Sequence, residues 1–263
     1  MNIVVAAFFA DVPGKPSRLA DYLPLIEASR KALQLTNPGA RYLVLTDAAT
    51  APAIQRHAEV WITSVPADTP LLAKLIRSQA LFTAMCKADL LVLPDVDCFA
   101  NRDLSDSIPG NVGLAITHKG EKFGYRINNL AYARDMDLAT WFLARAAAIL
   151  ESWPLEAQEW WGDQEAWGAA LGTHINGLGV SASYIPLVQV GEPDEGGERT
   201  FLARPAAGRY VHVYPCRTHN CPLADDGGMR PVHHDAFMVH LKGPRKQHVD
   251  RFMQERFGCP TWS

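Results

Sequence analysis

The sequence predicts an α/β fold, a mainly parallel central sheet flanked by helices, built as one domain over residues 1–263. Three observations predict it. Short apolar runs of strand length alternate with longer stretches of helical spacing through the first half. Those runs are apolar at nearly every position, as strands covered on both faces are. The strand–helix–strand order repeats, which is the pattern that yields parallel neighbours with helices on the faces.

The elements follow in chain order. Ile3 to Phe9 is a β-branched and then aromatic run, read as a doubly buried strand. Leu19 to Leu35 carries Leu19, Leu23, Ile26 and Leu33 at helical spacing and stops before Asn37-Pro38-Gly39. Tyr42 to Thr46 is a second buried strand, closed by Asp47. A short helix precedes a third strand, Glu59 to Ile62. Leu71 to Met85 reads as a helix entered at Pro70. Asp89 to Leu93 and Val112 to Thr117 are the fourth and fifth strands. The second half is less regular. Leu138 to Leu150 is an Ala-rich helix and Asp163 to Leu171 a shorter one. Tyr184 to Val190 and Tyr210 to Tyr214 are strand-like. Gly191 to Arg199 is polar and Gly-rich, the pattern of a mobile loop. Pro215 to Pro231 holds turn residues with little periodicity, and a basic helix is expected from Pro244 to Phe257. No internal repeat or linker splits the chain.

Composition excludes several classes. With 48% hydrophobic residues and a net charge of −3, the chain has ample core and little self-repulsion, so it is not disordered. The near-neutral balance gives no global reason for nucleic-acid binding. Five cysteines, an odd and sparse count, do not form a disulfide framework. The N-terminal apolar run has no basic flank and is cut by Asp11 and Pro13. No run reaches the ~18 apolar residues of a membrane span. A cytoplasmic protein without a transmembrane segment is expected.

Two segments carry the chemistry. Leu90-Leu91-Val92-Leu93-Pro94-Asp95-Val96-Asp97 runs a buried strand straight into two carboxylates. Ligands of open α/β sheets bind beyond the carboxyl ends of strands. If the chain stays extended, Asp95 and Asp97 point to one side, two hard oxygen donors suited to Mn²⁺ or Mg²⁺. Alone, Asp-x-Asp is a weak signal that also reads as two acids on a solvated turn, and the apolar strand before it is what favours a site, since a surface turn does not need one. Near the other end, Phe237 to His240 is an apolar strand, followed by Leu241-Lys242-Gly243-Pro244-Arg245-Lys246. His240 is a borderline ligand that completes a mixed O/N site. Gly243 permits close backbone approach, and Lys246 is a phosphate-sized point charge. The bland alternative is a strand end, a turn and a basic helix start.

Together the two segments resemble the metal and diphosphate sites of GT-A fold glycosyltransferases, especially the retaining family 8 type related to glycogenin and bacterial galactosyltransferases. That family carries Asp-x-Asp early and His-x-x-Gly-x-x-Lys late. The usual Pro-Trp after the Lys is replaced here by Gln247-His248. The resemblance implies a nucleotide-diphosphate sugar donor, most often a UDP-sugar, with Mn²⁺ or Mg²⁺ held by Asp95, Asp97 and His240. It implies Gly243 and Lys246 at the diphosphate. It divides the chain into a nucleotide-binding half, 1–120, and a donor-sugar and acceptor half, 121–263. Trp160-Trp161-Gly162-Asp163-Gln164 is similar to the family's Asp-Gln segment, which implies Asp163 and Gln164 at the donor sugar; locally, Asp163 also reads as a helix cap. Arg126-Ile127-Asn128-Asn129-Leu130 stands where the family has Phe-Asn-Ser-Gly-Val and implies a sugar contact by Asn128. Arg77 is placed with the metal-site acids or donor, and Phe8 and Tyr22 on the nucleotide side, Tyr22 as a base-stacking group.

Other readings stay open at this level. A sugar-1-phosphate nucleotidyltransferase would need a Gly-rich stretch near the first strand, for which Gly14-Lys15 is a poor substitute. A non-catalytic nucleotide-sugar-binding module would keep the same fold. Cys216, His219 and Cys221 form an uncommon zinc spacing, and His233-His234-Asp235 an unsupported base. Trp153, Trp160, Trp161 and Trp167 read mostly as core, with one or two available for stacking. The acceptor is a hydroxyl of unknown class: a glycan or lipid-linked sugar by expectation, with a protein side chain or a hydroxylated DNA base also open.

Overall fold

The computed structural model describes residues 1–12, 14–120, 126–158, 162–172, 188–193, 197–206 and 209–259. Twelve strands and eight helices follow one another: β1 (Ile3–Phe8), α1 (Leu19–Thr36), β2 (Arg41–Thr46), α2 (Ala51–Ile54), β3 (Glu59–Ile62), α3 (Leu71–Met85), β4 (Leu90–Leu93), β5 (Cys98–Ala100), β6 (Leu114–His118), β7 (Ile127–Ala133), α4 (Met136–Glu151), α5 (Gly162–Leu171), β8 (Val188–Val190), β9 (Thr200–Ala206), β10 (Arg209–Pro215), α6 (Cys216–His219), β11 (Cys221–Pro222), α7 (Pro231–Asp235), β12 (Met238–His240) and α8 (Val249–Phe257), among the described residues. Short 3₁₀ turns join them, including Gly243–His248 ahead of α8.

Nine strands form one sheet in the order β3-β2-β1-β4-β7-β6-β10-β9-β8. The first four are parallel, each linked by a helix. The rest depart from the mainly parallel sheet the sequence predicts. β7 is antiparallel to both β4 and β6, and β9 is antiparallel to β8 and β10; only β6 and β10 are parallel there. For two of these four antiparallel pairs, β6–β7 and β9–β10, the cause is loop length. Residues 119–126 join β6 to β7, and two residues join β9 to β10. Links that short close hairpins, whereas parallel neighbours need a crossover of about a dozen residues or more.

Alternation along β1 shows how the layers assemble. Val4, Ala6 and Phe8 enter a core with Ala73 and Ile76 of α3, Phe142 of α4 and Trp167 of α5. Ile3, Val5 and Ala7 enter the opposite core with Ile26 and Leu33 of α1. Helices therefore cover both faces, as the continuous apolar runs require. α1 has a second buried side. Leu25, Ala28 and Ala32 pack on Phe99, Val239, Leu241, Phe252 and Met253. This third core seats a small sheet, β11-β12-β5, beside the main one. It carries the C-terminal His240 segment back to the end of β4. Of the predicted strand Tyr184 to Val190, residues 184–187 lie outside the described residues, as do 194–196 of the expected loop.

Candidate functional site

β4 is buried along its whole length and ends at Leu93. Asp95 then bridges the backbone of Phe8 at the end of β1. The chain does not stay extended between the two acids. It turns, with Cys98 N–H donating to the Asp95 carbonyl at 3.1 Å. The turn leads into β5, which pairs antiparallel with β12 so that Cys98 faces His240. Leu241 N–H closes the register on the Asp97 carbonyl at 2.9 Å. Strand pairing thus sets His240 opposite Cys98, and the turn ahead of β5 brings the Asp97 side chain against the imidazole.

The side chains converge there. His240 Nε2 lies 3.1 Å from Asp97 Oδ1 and 3.9 Å from Asp95 Oδ2. Lys246 Nζ lies 3.0 Å from Asp97 Oδ2 and donates to the Tyr22 hydroxyl at 2.7 Å. Gly243 has φ +60°, a left-handed conformation that costs glycine nothing. It sharpens the exit from β12, and the 3₁₀ turn that follows carries Lys246 back over the site. A Cβ at Gly243 would meet open space, so the demand there is on the backbone alone.

Electrostatics follow from this crowding. Burial works against ionisation of Asp97, but the His240 imidazole and Lys246 ammonium overcome it and hold its pKa well below the usual carboxylate range. Asp95 is raised, by desolvation and then by the Asp97 charge, although 35% of its side chain reaches solvent. Burial opposes the charge on Lys246, yet Asp97 and Tyr22 raise its pKa. Two carboxylates that resist joint ionisation, with an imidazole nitrogen between them, fit a divalent cation of the Mn²⁺ or Mg²⁺ kind. One ligand atom each from Asp97, Cys98 and His240 lie within 4.8 Å of one another. The Cys98 thiol, however, donates to Asn220 Oδ1 at 3.5 Å, and burial pushes its pKa far up.

A second group faces this cluster from α5 and β7. α5 begins at Gly162, where a Cβ would stand 2.9 Å from the Ala157 carbonyl. Only glycine allows that approach, and it sets Asp163 at the helix start. β7 carries a bulge: Ile116 pairs with Ala131 but Thr117 pairs with Asn128, so Asn129 and Leu130 are extra. Bulges re-aim side chains. Here Asn129 Nδ2 donates to Asp163 Oδ2, and Asn128 Oδ1 accepts from Asn129 N–H at 3.2 Å. Asn129 is the residue that touches Asp163, and Asn128, expected at the donor sugar, is buried next to it. Asn129 is 5% exposed, and its Oδ1 has no hydrogen-bond partner among the described residues. Burial raises the Asp163 pKa to about 6. Gln164 is half-buried, its N–H donating to Asp163 Oδ1 at 2.9 Å. Lys119, after β6, is pulled down to about 8 by burial, with Lys242 and Arg126 adding to it.

Other predicted residues are elsewhere. Arg77 does not reach the acids; its Nε pairs with Glu151 of α4 at 3.1 Å. The Phe8 side chain lies in the core, and it is Phe9 that meets the Tyr22 ring, at 4.9 Å between centroids. Lys246 Nζ and the Arg18 guanidinium lie 4.3 Å and 5.1 Å from that ring's centre. His219 does not offer a zinc ligand. Its Nε2 faces the Ser107 carbonyl and its Nδ1 the Thr218 hydroxyl, both at 2.8 Å. Burial lowers its pKa to about 4, so the ring is neutral. All five cysteines are free. His233 accepts from Arg230 N–H and faces the Pro222 carbonyl, which ends its candidacy as a base. Trp153 and Trp167 are core residues, while Trp160 and Trp161 lie outside the described residues. Asn129 and Lys119 are the residues the sequence reading passed over. A bulge leaves no periodic trace, and a lysine after a strand has no signature.

No protein-family model matches the chain, and no curated protein does. Solved structures do. One is a glycosyltransferase involved in the glycosylation of the major capsid of PBCV-1, at 14% identity over 95% of this chain and 100% of that one, with a TM-score of 0.49. Two others are structures of the glycosyltransferase GlyE of Streptococcus pneumoniae TIGR4, at 15% and 14% identity over 64% of this chain, with TM-scores of 0.43 and 0.42. The chain spans 42% of the length of GlyE. No helix among the described residues is long and apolar enough to cross a membrane.

Proposed function

We propose that this chain is a metal-dependent glycosyltransferase that moves a sugar from a nucleotide-diphosphate donor, a UDP-sugar in the first instance, to a hydroxyl acceptor. The observation that carries the reading is Asp97, buried at the carboxyl edge of the sheet, with His240 Nε2 on one oxygen and Lys246 Nζ on the other. A carboxylate pair, an imidazole and an ammonium at that edge form a place for a cation and a diphosphate together.

Asp95, Asp97 and His240 hold Mn²⁺ or Mg²⁺ in this reading. When bound, that cation offsets the charge that builds on the departing diphosphate. Lys246 adds a second positive charge on the same oxygens. Asp163, with Asn129 holding one of its oxygens, accepts hydrogen bonds from sugar hydroxyls. Gln164 adds an amide at the same helix end. Burial excludes water from Asp163 and strengthens each of those bonds. Retention of anomeric configuration follows from the resemblance to the retaining family. A glycan or lipid-linked sugar is the favoured acceptor, ahead of a protein side chain or a hydroxylated DNA base.

The test is release of UDP, or of the matching nucleotide, from a panel of nucleotide sugars with Mn²⁺ present and after chelation. Slow metal-dependent hydrolysis of one donor is expected, with kcat falling about 100-fold or more in Asp95→Ala and Asp97→Ala. A panel in which no nucleotide sugar is bound or turned over overturns the proposal. Wild-type kcat in either variant at saturating metal removes the metal assignment.

A further inference from the structure

Two groups share Asp97. Oδ1 faces His240 Nε2 at 3.1 Å, and Oδ2 faces Lys246 Nζ at 3.0 Å. The Asp97 side chain is 8% exposed and that of Lys246 25%, so salt and water screen this pair weakly. Lys246 also has a second hold. It donates to the Tyr22 hydroxyl at 2.7 Å and lies 4.3 Å from the centre of that ring. Tyr22 is itself fixed, packed on Phe9 at 4.9 Å. The ammonium therefore sits between an acid of the metal site and a phenol on the nucleotide side.

A cation that takes Asp97 meets this ammonium as a like charge on the same carboxylate. A diphosphate, in contrast, attracts it. We infer that Lys246 is a built-in counter-ion of Asp97 that competes with the divalent cation, and that Tyr22 is a positioning residue that keeps hold of Lys246 when it leaves Asp97 for the diphosphate. Metal and nucleotide binding are then coupled through one side chain. Cation binding frees Lys246 for phosphate, and by linkage phosphate binding clears Asp97 for the cation to the same degree. This inference rests on the metal reading above.

The experiment is Mn²⁺ binding to the full chain, read from the electron paramagnetic resonance of free Mn²⁺, with UDP binding measured by calorimetry with and without Mn²⁺. Lys246→Met should bind Mn²⁺ alone about 5-fold or more tightly than wild type, and the gain in UDP affinity conferred by Mn²⁺ should shrink. Lys246→Arg keeps the charge and should bind Mn²⁺ as wild type does. Tyr22→Phe should bind Mn²⁺ more weakly, because Lys246 loses its alternative partner. In the double variant that loss should vanish, since Tyr22 acts only through Lys246. Lys246→Gln gives the same neutral comparison should the Met variant fold poorly. Mn²⁺ affinity unchanged or weakened in the neutral variants overturns the competition. A Tyr22→Phe effect that survives without Lys246 overturns the positioning role. No Mn²⁺ binding to wild type, with or without UDP, overturns the metal reading itself.

Discussion

Asp163 is a carboxylate kept where a neutral group would cost less. Burial lifts its pKa from 3.8 to about 6, and Asn129 and the Gln164 N–H share its two oxygens. The folded chain therefore holds this proton where the unfolded chain has lost it. Between those two values stability falls as pH rises, and above pH 6 the full penalty of about 3 kcal/mol is present. Asp163→Asn removes the penalty. Once the Asn129 side-chain amide turns over, the new amide donates to the Asn129 oxygen, while its own oxygen keeps the Gln164 N–H. Denaturant unfolding at pH 7.5 should show the variant more stable, by up to ~3 kcal/mol, with the gain fading toward pH 4. Turnover should be lost. A variant less stable than wild type at both pH values would mean that the charged form is structurally required. Asp95 with Asp97, and His240 with Lys246, are legible because each pair falls within a seven-residue peptide, although the contacts themselves, Asp97 with His240 and Lys246, join distant parts of the chain. Asn129 was hidden because its aim depends on two extra residues in β7, a property of pairing that no local pattern records.

Among elements, the parallel layer was the most readable. α3 runs where the sequence places it, Leu71–Met85, because it is a long periodic run entered at Pro70, and β3 runs at Glu59–Ile62 around its apolar Val60-Trp61 centre. β5, β7 and β9 were missed. β5 is three residues long, β7 carries two buried Asn, and β9 contains Arg204 and Pro205. Their strand character comes from neighbours rather than from composition. The small sheet is the costliest omission, since it positions His240. It is held by Asn101, fully buried just after β5. Its Nδ2 donates to the carbonyls of His233 and Ala236 at 2.7 Å and 2.8 Å, and its Oδ1 accepts from Arg256 Nε at 2.6 Å. Asn101→Ala strands the Ala236 carbonyl and that guanidinium N–H, and leaves the His233 carbonyl only the Ala236 N–H at 3.3 Å. Each orphaned buried group costs about 1–3 kcal/mol, so urea unfolding should show a loss of roughly 2–4 kcal/mol. Mn²⁺ affinity should weaken as well, because β12 loses its anchor. A change below ~0.5 kcal/mol would show that water replaces the amide at no cost.

For the molecule as a whole, the question is whether the nucleotide half, 1–120, and the remainder act separately. The pairing argues that they do not. β4 of the first half is bonded to β7 of the second, and β6 of the first to β7 and β10 of the second. The core around α1 contains residues from both ends of the chain, Leu25 with Phe252 and Met253. The proposed site draws on Tyr22, Asp95, Asp97, Asn129, Asp163, His240 and Lys246, so it exists only when all these elements are assembled. Unfolding that breaks any one of them breaks the site, and ligand binding must then stabilise the entire fold. Heat or urea should give one transition, the same by tryptophan fluorescence and far-ultraviolet circular dichroism. Mn²⁺ at 100 times its dissociation constant should add about 2.7 kcal/mol to that single transition, and chelation should remove it. Asp97→Ala should keep the single transition and lose the gain. Two separated transitions, with the ligand moving only one, would show instead that the halves fold independently and that the site belongs to one of them.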